Sequence, residues 1–439
     1  MLVIIAGIVI INPLLPIITG YAAKNLASDV FVSHRNVGDV ESLDLNFSFI
    51  RFTSNEVDTI KQEVVSRFLW GKSTAIYRQG FGCTLIRDVD KKSLKEVKYP
   101  ISSTSPDFAD IVGWPMGNRL PDSIKNLSLK PLEQIADNLI EKQHYGGYAF
   151  SFLVLHKGVP ILEKYNKGIG PNTRLLSWSM AKSFTSALTG IMVMDGKLDI
   201  HQPAAISQWQ EDERKNITIN DLLQMQSGLE WNEEYGNRSD VTVMLHETAD
   251  FAAYAFNKPP AFSPGTHWYY SSGSTNIINY LMRKVFHNDN DYYSFAAERL
   301  FNKIGMSGAV FETDASGTQV GSSYIYATTR DYARFALLYL QDGMYNGERI
   351  LPEGWVEYTT TAASDSKGRY GAGFWLNLDH SMQAAPTSMY RCQGHNGQRI
   401  FIFPEQQMAI VVLGYSPKKS NDMDFNRLIA DVLSVIPNK

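Results

Sequence analysis

The sequence has few cysteines and no excess of positive charge. Its 439 residues include only two cysteines, Cys83 and Cys392, which are too few for a disulfide framework. We expect two buried free thiols, and a disulfide between them in an oxidising compartment is the alternative. The 41 Lys and Arg residues against 45 Asp and Glu give a net charge of −4, without a basic stripe. We therefore expect a globular protein with a sizeable core and no nucleic-acid partner.

Several catalytic motifs are also missing. The sequence contains no G-x-S-x-G elbow of the kind that an α/β-hydrolase needs. It has no H-E-x-x-H and no C-x-x-C pair, and its nine histidines are scattered, so we predict no metal site. No glycine-rich dinucleotide fingerprint follows a strand-like run, and we predict no cofactor.

The first 23 residues carry no charged side chain, and the first charge is Lys24. A run of that length reaches across a bilayer, where about 20 apolar residues suffice. Pro13 and Pro16 interrupt the run, and small residues near its end resemble a secretory cleavage site. We predict a signal peptide or membrane anchor over residues 1–23 rather than a buried helix, which would normally show a polar face. The catalytic part would then lie outside the cytoplasm, in the periplasm or anchored to a membrane through this segment.

The remaining sequence divides into two regions. Residues 24–128 contain a strand–turn–strand pattern at 64–77 but no obvious catalytic group, so we predict an N-terminal accessory region. Residues 129–439 read as a helix, strands, a helical lobe over about 176–325, strands and a terminal helix. Such a chain brings its two ends together in one antiparallel sheet. The prediction is an α/β chain of the α+β type, with helices flanking the sheet and a helical lobe beside it.

Apolar periodicity predicts the individual helices and strands of the second region. The predicted helices span 131–143, 219–225, 274–285, 329–340 and about 424–435, and the predicted strands span 149–155, 159–165, 373–378, 399–403 and 408–413. A cleft between the sheet and the helical lobe is a common place for a small-molecule site.

The pattern S-x-x-K occurs three times, and its surroundings separate the copies. Ser364–Lys367 lies in a polar run without helical periodicity, and Ser416–Lys419 contains a proline after a strand-like run. Only Ser179–Lys182 opens a series of helix-spaced apolar residues, which ends at Gly196. A serine and a lysine three residues apart share one helix face, and the amine is one means of activating the hydroxyl. A helix N-cap is the structural alternative for Ser179.

Four further patterns follow in an informative order. They are S-G-L-E-W-N-E-E-Y at 227–235, P-G-T-H-W-Y-Y-S-S at 264–272, D-Y-A-R-F at 331–335 and G-H-N-G-Q at 394–398. Together with Ser179 and Lys182 they resemble the serine β-lactamase-like superfamily over about residues 129–435. That superfamily includes class C β-lactamases, penicillin-recognising D-peptidases and carboxylesterases of β-lactamase fold. The likeness is nearest to 6-aminohexanoate-oligomer hydrolases.

The resemblance implies a catalytic role for each matching residue. Ser179 would form the acyl-enzyme, and Lys182 would help to remove its proton. Tyr270 would act as general base and then as acid for the leaving group, with Tyr269 as the alternative tyrosine. Because a free tyrosine has a pKa of about 10, a phenolate near neutral pH needs the lysine cation beside it. The backbone N–H groups of Ser179 and Gln398 would form the oxyanion hole.

The resemblance also implies five residues that bind substrate. His395, Asn396 and Gly397 stand where β-lactamases carry Lys-Thr-Gly, and a histidine carries less positive charge at neutral pH than a lysine. Ser272 stands where the family commonly has Asn, and Tyr235 matches a tyrosine that touches the substrate amide in the oligomer hydrolases. Structural packing is the alternative role for His395 and Tyr235. These departures argue against efficient β-lactam hydrolysis.

The sequence therefore predicts a serine hydrolase that cleaves an ester or amide through an acyl-enzyme. Its substrate would be a small molecule or a peptide-like compound. The alternatives are a penicillin-recognising D-peptidase that acts on cell-wall peptides and a catalytically silent binding protein of the same fold.

Overall fold

The first region of the chain is a long helix on a four-stranded antiparallel sheet of order β1-β2-β3-β4. The computed structural model describes residues 11–100, 112–121, 129–417 and 422–436. The elements of the first region are α1 Leu15–Phe31, α2 Val37–Ser42, β1 Ser54–Asp58, β2 Glu63–Phe68, β3 Gly71–Arg78, β4 Gly82–Leu85 and α3 Lys91–Glu96. The strand–turn–strand pattern predicted at 64–77 is the hairpin of β2 and β3, in which Glu63 pairs with Ile76.

Helix α1 contains the second half of the predicted leader. Residues 15–23 belong to this helix, and Ile18, Ala22 and Ala23 are buried. The helix packs against the sheet on one side and against helix Asp240–Glu247 on another, so it needs no polar face. A Cβ atom on Gly20 would lie 3.1 Å from the carbonyl oxygen of His246, so the small residues of the run permit close packing. Helix α1 therefore continues across the boundary predicted after residue 23, residues 1–10 lie outside the described residues, and the signal peptide or membrane anchor stays a prediction.

Two further predictions concern the state of the two cysteines and the location of the protein. Cys83 and Cys392 are both buried free thiols, as predicted. Within the described ranges, no helix has the length and apolar character that a membrane crossing requires. The location outside the cytoplasm stays a prediction.

The second region is built around a six-stranded antiparallel sheet. Its elements are α4 Lys130–Ile140, β5 Tyr148–His156, β6 Val159–Tyr165, β7 Leu175–Leu176, α5 Ala181–Met194, α6 Ile219–Leu223, α7 Asp240–Glu247, α8 Phe251–Phe256, α9 Ser272–Val285, α10 Asp289–Ala296, β8 Val310–Phe311, β9 Ile325–Ala327, α11 Thr329–Leu340, β10 Met344–Tyr345, β11 Glu348–Arg349, α12 Trp355–Thr360, β12 Trp375–Leu376, β13 Tyr390–Gln393, β14 Arg399–Phe403, β15 Met408–Tyr415 and α13 Phe425–Val435. The sheet has the order β12-β13-β14-β15-β5-β6, so β5 and β15 join the two ends of the region. Helices α5 to α10 form the lobe beside it, which confirms the predicted fold.

Strand β14 shows how the sheet separates two cores. Ile400 and Ile402 face the core that includes α5 and α11, whereas Phe401 and Phe403 face the core that includes α4 and α13. All four side chains are fully buried. Because successive side chains of a strand point to opposite faces, this apolar strand supplies both layers at once.

A buried ion pair joins α1 to the second region. Lys24 contacts Glu312, and the two residues are 2% and 0% exposed. The Glu312 carboxylate also accepts a hydrogen bond from Ser28 Oγ at 2.9 Å and one from the backbone N–H of Cys83 at 2.6 Å. Buried charges are tolerated when they are paired and hydrogen-bonded, so this network fixes the first region in one position on the second.

Candidate active site

Ser179 lies in a tight turn directly before helix α5. Residues Trp178–Met180 form one turn of 3-10 helix, and Trp178 has a φ of +46°, which is uncommon for a bulky residue. Ser177 supports the turn, because its Oγ lies 3.2 Å from the carbonyl oxygen of Ser323 and accepts from the N–H of Ile325 at 3.2 Å. These contacts hold a sparsely populated backbone conformation that presents the half-buried Ser179 at the helix start.

Aromatic rings enclose the Trp178 side chain. Tyr21 of helix α1 stacks on the indole with ring centroids 6.2 Å apart. His395 and Tyr235 contact it edge-on at 5.4 Å and 6.3 Å, and Tyr324 lies at 6.3 Å. The N-terminal region therefore forms part of the packing that holds the Ser179 turn.

Lys182 is the centre of the hydrogen-bond network. Its Nζ donates to Ser179 Oγ at 3.0 Å, to Ser272 Oγ at 2.9 Å and to the carbonyl oxygen of Ser322 at 3.0 Å. The side chain is buried, and burial lowers the pKa of Lys182 to about 8, although the charge of Glu233 acts in the opposite direction. Such an amine is neutral in a useful fraction of molecules near pH 8, so it can accept the proton of Ser179.

Glu233 completes the network, although the sequence analysis did not identify it. Its Oε1 accepts from Ser272 Oγ at 2.6 Å, and its Oε2 accepts from the Ser272 N–H at 2.9 Å and from Trp231 Nε1 at 2.5 Å. Ser272 is 0% exposed and bridges Glu233 to Lys182. Its hydroxyl thus accepts one hydrogen bond and donates another within the protein, and the substrate contact predicted for Ser272 stays a prediction. The S-G-L-E-W-N-E-E-Y segment contained the signal, but its three glutamates look equivalent in sequence.

Tyr270, and not Tyr269, reaches this network. The Nζ of Lys182 lies 4.8 Å from the centroid of the Tyr270 ring, whereas Tyr269 is 46% exposed. Burial and the charge of Glu233 raise the pKa of Tyr270 above its ordinary value, and a contact with Ser179 only partly opposes them. At neutral pH the free protein therefore holds a neutral phenol here, which differs from the phenolate expected from the sequence. The physical reasons are desolvation of the phenol and repulsion between a phenolate and the Glu233 carboxylate.

The turn at His395–Gly397 contains three predicted residues, of which His395 contacts Trp178. Asn396 and Gly397 have φ angles of +58° and +93°, which asparagine and glycine adopt more readily than other residues. Burial and the charge of Arg399 lower the pKa of His395 to about 4, so its imidazole is neutral at pH 7. A neutral imidazole can donate a hydrogen bond but supplies no positive charge to a substrate carboxylate.

Two polar groups next to this turn have no partner in the described part of the chain. Tyr235 stacks on His395 with ring centroids 4.7 Å apart, and its buried hydroxyl lacks a hydrogen bond there. The Oδ1 atom of Asn396 is also buried without a hydrogen bond. Since unsatisfied buried polar groups are costly, these two atoms are suited to contact a ligand.

Gln398 is fixed by strand β15. Its Nε2 donates to the carbonyl oxygen of Gly414 at 2.6 Å, and its Oε1 accepts from the Gly414 N–H at 3.0 Å. Its backbone N–H lies 3.5 Å from the carbonyl oxygen of His395, at the limit of a hydrogen bond, so the N–H remains open to a stronger acceptor. Arg399 Nη1 donates to the carbonyl oxygens of Gly394 and Gln398 at 2.6 Å and 2.8 Å. The oxyanion role of the Ser179 and Gln398 amides stays a prediction.

The charged groups near the site are arranged without a metal-binding cluster. Among the described residues, no group of three His, Cys, Asp or Glu side chains is placed to hold a metal ion. Burial lowers the pKa of Arg399 to about 9 and that of Arg391 to about 10. The arrangement offers a hydroxyl nucleophile, an amine of lowered pKa and a neutral phenol, which together suit acyl transfer.

The fold and this site define a hydrolase of β-lactamase type, and comparison with known proteins agrees. The sequence matches the Beta-lactamase family model over residues 132–434, so the chain belongs to the β-lactamase family. The 6-aminohexanoate-dimer hydrolase of Paenarthrobacter ureafaciens is 22% identical over 290 residues, which cover 61% of this chain and 72% of that protein. A D-aminopeptidase of Brucella anthropi is 26% identical over 277 residues, covering 58% of this chain and 52% of that protein. Among solved structures, EstCE1, a hydrolase with promiscuous acyltransferase activity, shares the fold with a TM-score of 0.55 and 13% identity, covering 70% of this chain and 99% of that one.

Proposed function

We propose that this protein is a serine hydrolase that cleaves an ester or amide bond of a small or peptide-like substrate through an acyl-enzyme on Ser179. The observation that carries the proposal is the buried Lys182 amine, which lies 3.0 Å from Ser179 Oγ and has a pKa lowered to about 8. The names of the two curated relatives, both of which describe amide hydrolases or peptidases, support this reaction class.

In the proposed acylation, neutral Lys182 accepts the hydroxyl proton while Ser179 Oγ attacks the substrate carbonyl carbon. The backbone N–H groups of Ser179 and Gln398 hold the oxyanion of the tetrahedral intermediate. When the intermediate collapses, Tyr270 donates its phenolic proton to the departing alcohol or amine and takes a proton from the Lys182 ammonium group. Water then attacks the acyl-enzyme and gives a proton to Lys182. When the bond between the acyl group and Ser179 Oγ breaks, the Lys182 ammonium returns this proton to Ser179 Oγ, so that the acid is released and both residues regain their starting forms.

We expect kcat/KM to depend on the protonation of Lys182. Burial has lowered its pKa to about 8, and only the neutral amine accepts a proton. The rate should therefore rise about tenfold per pH unit below pH 8 and level off above about pH 9. A pH profile with a nitrophenyl ester, with folding checked by circular dichroism at each pH, measures this. A profile that is flat between about pH 6 and 9 would exclude Lys182 as the base.

Replacing Glu233 with Gln should move that profile to lower pH. The Glu233 carboxylate raises the pKa of Lys182, whereas burial lowers it. Without the carboxylate, the pKa of Lys182 should fall further, so the amine deprotonates at lower pH. We also expect kcat to fall by about tenfold, because Ser272 loses a charge-assisted hydrogen bond. The exposed neighbour Glu234, changed to Gln, is the matched control and should leave the profile in place. A purely structural role for Glu233 would reduce activity without moving the pH profile.

A substrate panel tests the proposed reaction class. Short-chain nitrophenyl esters, linear amides, β-lactams and D-Ala-D-Ala peptides are assayed, and intact mass is measured after treatment with a fluorophosphonate. Ester or amide turnover with an adduct on Ser179 supports the proposal, and slow β-lactam turnover is expected because neutral His395 provides no cation. Labelling by a fluorescent penicillin would favour the D-peptidase if D-Ala-D-Ala peptides compete with it and reduce the labelling. No adduct and no turnover would leave the silent binding protein.

A further inference from the structure

A cleft of about 770 Å³ lies between the first and second regions of the chain, and none of its lining residues belongs to the Ser179 site. One wall comes from the end of α1, the end of β3 and the segment after α3. The opposite wall comes from Arg174 and from residues 307–310 before β8. A volume of this size falls in the range of about 300–1,000 Å³ that is typical of small-molecule sites.

The cleft is lined by basic side chains. They are His34, Lys61, Arg78, Lys95, Lys98 and Arg174. None of the described residues that line the cleft is Asp or Glu, although the whole chain has a net charge of −4. The positive charge is therefore local, and low-dielectric walls strengthen its attraction for an anion.

Arg78 lines the cleft with a guanidinium group that is only partly satisfied. The residue is 6% exposed, and its Nη2 donates to Thr84 Oγ1 at 2.8 Å and to Thr313 Oγ1 at 2.6 Å. Its Nε is enclosed without an acceptor among the described residues, and burial lowers the pKa of Arg78. The carboxylates on either side of Thr313 are occupied, since Glu312 binds Lys24 and Asp314 accepts from the Phe251 N–H. Arg78 is thus a buried cation without a hydrogen-bonded carboxylate.

Among the other basic groups of the cleft, Lys61 is paired with Asp58 at 2.8 Å, whereas Arg174, Lys95 and Lys98 have no carboxylate partner among the described residues. Arg174 donates to the carbonyl oxygens of Gly308 at 2.5 Å and Val32 at 3.3 Å, and within the described ranges it binds no carboxylate. Lys95 donates to a backbone carbonyl, and Lys98 is exposed with no hydrogen bond to any described residue. Arg78 is buried and Arg174 half-buried, whereas Lys95 and Lys98 are exposed, so the cleft has basic groups at different degrees of burial.

We propose that this cleft binds a small polyanion that carries at least two phosphate or carboxylate groups. The Arg78 guanidinium retains Nη1 donors beyond the two bonds of Nη2, these donors suit either anionic group, and a bound anion would offset the cost of burying this cation. Arg174 and Lys98 lie within the same cleft and engage the second anionic group. The site is separate from Ser179, so the proposal goes beyond the hydrolase activity.

Calorimetric titration of the full chain with inorganic triphosphate and, separately, with citrate tests the proposal at low ionic strength. We expect saturable binding of at least one probe, and the tighter probe tells a phosphate ligand from a carboxylate ligand. Lys98→Glu should weaken binding by about tenfold. The control Lys72→Glu makes the same charge change at an exposed position on β3 outside the cleft and should leave binding unchanged.

Arg78→Met tests the buried cation of the cleft, with circular dichroism to verify the fold. A folded Arg78→Met protein should lose binding of the probe. If that variant does not fold, the proposal is tested by whether Lys98→Glu weakens binding more than Lys72→Glu does. The proposal is overturned when neither probe binds saturably up to about 1 mM, a concentration at which weak specific sites are occupied. Equal weakening by Lys98→Glu and Lys72→Glu would also overturn it, since it would show general attraction by charge.

Discussion

Ser179→Ala is expected to lower kcat/KM by at least about 10⁴-fold and to abolish covalent labelling by a fluorophosphonate. The reason is that the proposed attacking oxygen disappears, while the amides proposed to bind the oxyanion and the surrounding pocket remain. Hydrolysis with a nitrophenyl ester measures the loss, and intact mass measures the adduct. Because Ser179 is half-buried and its Oγ serves mainly as an acceptor from Lys182, folding should be preserved.

The chain offers its own control for this experiment. Ser364 also stands three residues before a lysine, Lys367, but it is exposed and contacts Gln226 and Gly265 rather than a buried amine. Ser364→Ala should therefore keep full activity and full labelling. If Ser179→Ala kept more than about a tenth of the activity, an acyl-enzyme on Ser179 would be excluded.

Elements with strong local signals were predictable from the sequence. Helix α11 begins and ends where its periodicity predicted, and Thr328 and Asp331 form a capping box at its start. Strand β14 likewise has its predicted bounds. By contrast, the three-stranded sheet of β7, β9 and β8 was missed, because strands of two or three residues carry no measurable period. Strand β13 was missed because its four residues include Arg391 and Gln393 among apolar neighbours.

The buried helix α1 was not predictable from the sequence, for a different reason. An uncharged run has the same composition whether it is a leader, a membrane span or a helix covered by protein on all sides. What distinguishes the last case is the tertiary neighbour, here the β1–β4 sheet and helix α7, which sequence alone does not reveal. The buried pair of Lys24 and Glu312 joins residues that are 288 positions apart, so no local pattern could indicate it.

In the candidate site, Ser179, Lys182 and Tyr270 were predictable from the sequence, whereas Glu233 and the protonation states were not. Spacing and order brought Ser179, Lys182 and Tyr270 together, as the structure places them. The lowered pKa of Lys182, the raised pKa of Tyr270 and the neutral His395 all arise mainly from desolvation, which depends on the finished fold. These shifts are the reason that we propose the lysine, rather than a tyrosine phenolate, as the base in the resting protein.

Lys182→Met should lower the rate of acylation by about 10³-fold or more, since general-base assistance contributes about 10²–10⁴-fold and the amine also orients Ser179 and Ser272. Single-turnover measurement of acylation with a nitrophenyl ester isolates this step. Labelling of Ser179 by a fluorophosphonate should slow by a similar factor but still reach completion, which separates loss of the base from loss of the nucleophile. The exposed Ser364–Lys367 pair again provides the control, since Lys367→Met should leave the acylation rate unchanged.

Lys182→Arg distinguishes a base from a fixed cation at the same place. A guanidinium group keeps the positive charge but does not deprotonate in this pH range, so it cannot accept the Ser179 proton. If Lys182 acts as the base, Lys182→Arg should be as slow as Lys182→Met, and the rise in rate toward pH 8 should disappear from both profiles. Recovery of activity in Lys182→Arg would instead assign the lysine an electrostatic role and return the general base to Tyr270. The lowered pKa of Lys182, set by burial against the charge of Glu233, favours the first outcome, because a residue needed only as a cation gains nothing from desolvation.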